Sequence, residues 1–214
     1  MIKKIIAIIP ARGGSKRIKN KNIILFKKKP LIFWTIEAAI KSKIFNKIFV
    51  STDSKKIEQK LKRYKNKISF LNRPKKLSGN KTKTKTLIKF LINKNKLNKK
   101  YSDFILLQPT SPLRTKKNIV DMWKFYLKNN LNNLISVSSK KNDHKIYQKK
   151  NNIYSKSKKV NKKEIYLNGS IYIYKIDDYL KRQNSKNIGK NFYFIPAKYS
   201  LDLDNIEQLK VYNL

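Results

Sequence analysis

The sequence predicts an α/β fold, a largely parallel sheet covered by helices, on three observations. Apolar runs bounded by turn residues alternate with longer amphipathic stretches, the order of strands joined by crossover helices. The run IIAII at residues 5–9 is short, apolar and soon followed by Arg12, which reads as a buried first strand. The 214 residues suffice for one main domain with a proper hydrophobic core, so residues 1–214 are expected to form a single domain.

After that strand, residues 10–22 are a polar loop. Residues 30–40 predict a helix, because Pro30 suits its first turn and Leu31, Trp34 and Ala38 recur at helical spacing. Residues 47–51 predict a second strand, 54–64 a second helix, and 81–97 a third helix with Leu87, Phe90 and Leu91 on one face. Residues 104–107 are a central strand ending at Gln108-Pro109, followed by a helix over 116–127. Strands at 134–137 and 165–174 and a closing helix at 205–214 complete the pattern. Residues 139–163 turn polar and lysine-rich, with Asn151-Asn152 as a hairpin turn, and are expected to leave the domain as a small excursion suited to a subunit contact. Trp34 and Trp123 occupy apolar helical positions and read as core.

Composition removes several classes of chemistry. There is no cysteine, which excludes disulfides and thiolate metal sites, and the one histidine, His144, leaves almost no material for a histidine-based zinc site or a Ser-His-Asp triad. His144 lies in the polar stretch and reads as a surface residue. No run approaches the roughly 18 to 20 apolar residues of a membrane helix, and the first strand is too short for a signal peptide, so a cytoplasmic protein is expected. A formal charge of +41 would attract any polyanion. However, Lys, Asn and Ile, which share AT-rich codons, make up nearly half the chain, and the lysines are spread over every segment. That pattern is a lysine-coated solvent face and not a dedicated nucleic-acid surface.

Ligands of an open parallel sheet bind beyond the carboxyl ends of its strands, which directs attention to the loop after the first strand. It reads Ala11-Arg12-Gly13-Gly14-Ser15-Lys16-Arg17 and continues to Lys21-Asn22. Two glycines let the backbone turn tightly and aim N–H groups at a phosphate, and Arg12, Lys16 and Lys21 add positive charge around the same point. The loop lacks the spacing of a P-loop and of a dinucleotide fingerprint, and taken alone it reads more readily as an ordinary turn with nearby lysines than as a phosphate cradle. Near the other end, Asp202 and Asp204 are two apart and would share one face of an extended segment, where both carboxylates can meet one hard cation. Capping of the closing helix is the competing reading for Asp204. Gln108-Pro109-Thr110-Ser111-Pro112 reads as a rigid turn whose Thr or Ser caps the next helix.

Four blocks resemble the acylneuraminate cytidylyltransferases, the family of CMP-sialic acid, CMP-legionaminate and CMP-pseudaminate synthetases. They are IPARGGSKRIKNKN with the later IFVSTDS, LLQPTSPLR from Leu106 to Arg114, NGSIYI from Asn168 to Ile173, and LDLD from Leu201 to Asp204. The resemblance implies a three-layer, Rossmann-like nucleotidyltransferase sheet, mostly parallel, with a small dimerisation excursion. It implies transfer of CMP from CTP to the anomeric hydroxyl of a nonulosonic acid, with release of pyrophosphate. Nucleotide contacts would come from Arg12, Gly13, Gly14, Ser15, Lys16, Lys21, Asn22, Arg73 and Thr84, with Lys21 on the pyrophosphate side. Sugar contacts would come from Gln108, Thr110, Ser111 and Asn168. Asp202 and Asp204 would hold Mg2+, and Arg12, Lys16, Lys21 and Asp202 would carry the catalysis. The partners implied are CTP, a nonulosonic acid and a second copy of the chain in a homodimer, with no specific nucleic acid and no membrane.

The sugar side departs from the family pattern. Ser157-Lys158-Lys159-Val160 and Tyr166-Leu167 stand where relatives carry an arginine-rich segment, and Asn80 stands at an acidic position. Lysine meets a carboxylate as a point charge without a bidentate fork, so the sequence does not choose among sialic, legionaminic and pseudaminic acids. Three alternatives stay open: a CMP-ketodeoxyoctonate-type synthetase of the same fold, a basic nucleic-acid-binding module, and an inactive relative that binds nucleotide without turnover.

Overall fold

The computed structural model describes residues 4–15, 17–139, 165–181 and 191–213. Lys16, His144, Asn151-Asn152, Ser157 to Val160 and nearly all of the expected excursion at 139–163 lie outside them.

The described strands are β1 (Ile5–Pro10), β2 (Leu25–Phe26), β3 (Lys29–Pro30), β4 (Lys47–Thr52), β5 (Ser69–Asn72), β6 (Asp103–Leu107), β7 (Asn133–Ser139), β8 (Ile165–Lys175) and β9 (Phe192–Phe194). The α-helices are α1 (Leu31–Ser42), α2 (Lys55–Lys60), α3 (Thr84–Lys94), α4 (Lys116–Lys128), α5 (Ile176–Lys181) and α6 (Ile206–Asn213). Seven strands form one sheet in the order β5-β4-β1-β6-β8-β7-β9, and β2 and β3 pair as a separate small hairpin. Strand β8 alone runs antiparallel to its neighbours β6 and β7, whereas the other pairings in the sheet are parallel. The mostly parallel α/β sheet expected from the sequence is therefore present.

Strand alternation builds two cores at once. Ile5, Ala7 and Ile9 of β1 face one apolar layer together with Ile32 and Ile36 of α1, Ile57 of α2 and Met122 of α4. Ile6 and Ile8 face the other, with Leu87, Ile88 and Leu91 of α3 and Ile176 of α5. Every residue from Ile5 to Ile9 is buried, which is why that run is apolar without interruption.

The expected elements are shifted in places. The second helix is α2 capped by the Ser54 side chain, which accepts from the Ile57 N–H at 3.4 Å, and its last part is a tighter 3-10 turn over Leu61–Tyr64. The third helix begins at Thr84 and not at residue 81, and its buried face is Leu87, Ile88, Leu91 and Ile92, with Phe90 half-buried beside them. Helix α4 is capped by Thr115 in a reciprocal capping box with Asn118, so neither Thr110 nor Ser111 serves as a cap. The short elements β2, β3, β5, β9 and α5 carried no sequence signal, being too brief for a periodicity to develop.

Candidate functional site

The carboxyl ends of β1, β5 and β6 open into a cleft of about 260 Å³, lined by Arg12, Ser15, Lys21, Asn22, Arg73, Thr84, Gln108 and Thr110 among others. A second hollow of about 450 Å³ adjoins it and shares Arg12, Ser15, Lys21 and Asn80, adding Arg17 and Asp204. Residues from both ends of the sequence thus meet at one place. Lys16 lies outside the described residues.

The loop after β1 is held from behind. Its residue Ala11 donates a backbone N–H to the Ser51 carbonyl at 2.8 Å, and the buried Asn22 amide donates to the Arg12 carbonyl at 2.8 Å. The Gly13 N–H donates to Asp53 Oδ1 at 2.8 Å, so it is spent inside the protein and does not point at a ligand. Neither glycine has the left-handed backbone that would require it; Gly13 is instead needed for proximity, because a Cβ there would sit 2.7 Å from the Ser54 Cβ. Gly14 has no neighbour that would exclude a side chain. Asp53, absent from the sequence-based assignments, also lies in the electrostatic field of Arg73, whose pKa is lowered mainly by burial and by neighbouring Arg12 while Asp53 opposes the shift. The Arg73 guanidinium donates twice to the Leu77 carbonyl, at 3.1 and 2.8 Å, which fixes it in the cleft wall.

Asp202 and Asp204 behave differently although only Leu203 separates them. Leu203 is fully buried against Phe26, Leu31 and Leu209, and its N–H donates to the Thr110 carbonyl at 2.7 Å. That anchor sends the two carboxylates to the opposite side of the extended segment. Asp204 accepts from Lys21 Nζ at 2.7 Å and from Arg17 Nη1 at 3.0 Å, and the Lys21 hydrogen bond is the main reason its pKa is lowered. It does not cap the closing helix, since Asn205 Oδ1 accepts from the Gln208 N–H at 2.9 Å and Gln208 accepts from the Asp204 N–H at 2.7 Å. Asp202 is pushed up, mainly by burial and further by the charge of Asp204. Thr110 lies near its carboxylate and opposes the shift, yet no hydrogen bond of good geometry joins them, and Asp202 Oδ1 and Thr110 Oγ1 are both buried without a partner among the described residues. Tyr172 faces the same carboxylate and is raised to about 12 by burial and by that charge.

Gly169 makes this crowding feasible. Its φ of +69° lies in the left-handed region, and a Cβ there would meet Asp202 Oδ2 at 3.2 Å and Gln108 Oε1 at 3.8 Å. Gln108 and Asp202 therefore meet around Gly169, and Thr110 lies beside the Asp202 carboxylate.

Two residues expected on the sugar side are not brought to it. Asn168 is buried, accepts from Ser136 Oγ at 2.6 Å and from the Ser170 N–H at 3.1 Å, and donates to Ser138 Oγ at 2.9 Å. It stabilises the irregular pairing of β7 with β8 between Ile135 and Val137, and its hydrogen-bonding capacity is used there. Ser111 is likewise fully buried and does not line the cleft. Arg114, quoted in the LQPTSPLR block without a role, is buried without an ion-pair partner among the described residues and is pushed down to about 9 by burial.

Among the described residues no group of three or more His, Cys, Asp or Glu could hold a metal ion. The fit to magnesium rests on two carboxylates only, one of them with a free oxygen, which suits an ion that takes its remaining ligands from water and substrate phosphates. No helix among the described residues is long and apolar enough to cross a membrane.

The same fold is found in a solved CMP:2-keto-3-deoxy-manno-octonic acid synthetase complexed with CTP, which aligns over 98% of this chain and 97% of that one with a TM-score of 0.74 at 14% identity. In sequence, the chain is 33% identical to an N-acylneuraminate cytidylyltransferase of Escherichia coli, over 94% of this chain and 49% of that protein. It is 37% identical to a pseudaminic acid cytidylyltransferase of Campylobacter jejuni, over 59% of this chain and 54% of the other. The chain spans about half the length of these relatives. The family model for cytidylyltransferases matches residues 6–214, and the chain belongs to that family.

Proposed function

We propose that this chain transfers CMP from CTP to the anomeric hydroxyl of a nonulosonic acid, a sugar acid of the sialic, legionaminic or pseudaminic type, and releases pyrophosphate. The observation that carries the proposal is the meeting of the basic loop after β1 with Gln108, Thr110 and Asp204 in adjoining hollows at the carboxyl ends of the strands, with Asp202 nearby beside Gly169. The family and the names of its sialate and pseudaminate relatives supply the nucleotide and the sugar class.

Phosphoryl transfer is catalysed chiefly by positioning and charge neutralisation. Arg12 and Lys21, with Lys16 from the same loop, would meet the triphosphate and stabilise charge on the departing pyrophosphate. Asn22, Arg73 and Thr84 line the nucleoside end. Gln108 and Thr110 orient the sugar from the end of β6. Asp202 and Asp204 would hold Mg2+, which when bound neutralises phosphate charge as two anions approach. Lys21 and Arg17 are ion-paired with Asp204, which ties the basic loop to the aspartate segment. The reading makes residues 1–214 one cytidylyltransferase domain, working in the cytoplasm where CTP is available, as a homodimer that uses the 139–163 region.

The test is pyrophosphate release with CTP and magnesium against a panel of nonulosonic acids, with ketodeoxyoctonate included and Asp202→Asn as control. Magnesium-dependent release with a nonulosonic acid supports the reading. Release with ketodeoxyoctonate alone, or no protection of the fold by CTP against heating, overturns it.

A further inference from the structure

The antiparallel pairing of β6 with β8 stops at Leu107 opposite Ile171. Beyond that rung the two strands part, and the parting forms the corner shared by Gln108, Gly169 and Asp202. Backbone groups that leave a ladder inside a protein must find other partners. Here one side chain serves both strands. Arg114 Nη1 donates to the Ser170 carbonyl at 2.6 Å and, more weakly, to the Gln108 carbonyl at 3.3 Å. Its Nη2 donates to Thr35 Oγ1 at 2.7 Å and to the Gln108 carbonyl at 3.4 Å, and Thr35 itself donates to that carbonyl at 3.4 Å.

A buried guanidinium that meets only neutral oxygens is costly to desolvate, and apolar packing would usually serve stability as well. What apolar packing cannot supply is a planar fork that spans α1, the end of β6 and β8 together. Resting on the functional reading above, we propose that Arg114 is a positioning residue for the sugar subsite, replacing the missing rung between β6 and β8 so that Gln108 and Gly169 are held apart at the spacing the sugar acid requires. The nucleotide end hangs on other elements and is independent of it: Arg73 is anchored on Leu77, and the loop after β1 on Ser51 and Asp53.

The test uses Arg114→Lys, which keeps the charge without the fork, and Thr35→Val, which removes one spoke with the guanidinium intact. KM is measured separately for CTP and for the sugar acid selected by the panel, and backbone hydrogen exchange is followed in the full chain. The expected result is a sugar KM raised roughly tenfold or more in Arg114→Lys, less in Thr35→Val, with the CTP KM nearly unchanged. Exchange should quicken in residues 105–113 and 166–173 and not in 84–94. Parallel changes in both KM values, or exchange that quickens uniformly, would make Arg114 a general stabiliser and overturn the proposal. If the wild-type chain turns over no sugar acid, the functional reading fails, and exchange alone decides the anchor: local acceleration supports it and uniform or absent acceleration refutes it.

Discussion

The two rims of the cleft are built on opposite principles. The nucleotide rim is a loop of exposed or half-buried cations, Arg12, Arg17 and Lys21, set on parallel strand ends and balanced by the partly exposed Asp204. The sugar rim is a packed corner of mostly neutral groups beside the antiparallel strand β8, where the Thr110 and Ser170 hydroxyls are buried without a partner among the described residues, and where the one acid, Asp202, is pushed towards its neutral form by burial. Under the proposed function the difference suits the two ligands. A triphosphate carries its own charge and is gathered by long flexible cations at small conformational cost, whereas discrimination among sugar hydroxyls needs groups already desolvated and fixed.

The largest effect should come from the point where the rims join. Asp202→Asn keeps the shape of the side chain and removes its charge; loss of several kcal/mol of charge stabilisation corresponds to a fall in turnover of about a hundredfold or more. Steady-state pyrophosphate release measures it, and unchanged turnover would remove Asp202 from the chemistry.

Next are the two glycines, one on each rim. Gly169→Ala forces a side chain into a left-handed backbone at a cost of about 1–2 kcal/mol and against Asp202, so it should raise the sugar KM and lower the melting temperature. Gly13→Ala, with Ser54 at 2.7 Å, should cost about 1–3 kcal/mol by overpacking and raise the CTP KM instead. Equal effects of both variants on both substrates would abolish the distinction between the rims.

The aspartates differ in the sign of their pH dependence. Asp204 is held below its ordinary value of 3.8, chiefly by Lys21, so its contribution to stability is present above that value and is lost as pH falls through the lowered one. Asp202 is raised by burial, so its contribution is present below 3.8 and is lost as pH rises through its raised value. Thermal melts across the acid range should therefore show Asp204→Asn flattening the acid decline and Asp202→Asn steepening it. The smallest change expected is Arg17→Ala: its pair with Asp204 is exposed, worth about 0–1 kcal/mol, and should vanish in high salt.

Much of the fold was legible because it is written in short-range patterns. The continuous apolar run of β1, the helical spacing of Leu31 and Ala38, and the alternation of Asp202-Leu203-Asp204 each depend on geometry within a few residues. The nucleotide rim was legible for a similar reason, since most of its cations crowd one loop. Asp53 was missed because its role, holding the Gly13 N–H across 40 residues of sequence, leaves no local trace. The motifs assign Asn168 and Ser111 to the sugar, whereas Asn168 is hydrogen-bonded at the bulge between β7 and β8 and Ser111 is buried outside the cleft lining.

By itself the sequence determined the longer strands and helices, which loop carries the positive charge, and that two carboxylates would lie on one side of an extended stretch. Only the tertiary structure decided that Lys21 meets Asp204 across 183 residues, that Gly13 is needed for proximity and not for its backbone angle, and that Arg114, from the turn before α4, reaches the carbonyls of both Gln108 and Ser170. The physical reason is one of range. Propensity and periodicity act along the chain over a turn or two, whereas desolvation and hydrogen-bond pairing are settled by whichever distant groups the packed sheet brings within about 3 Å.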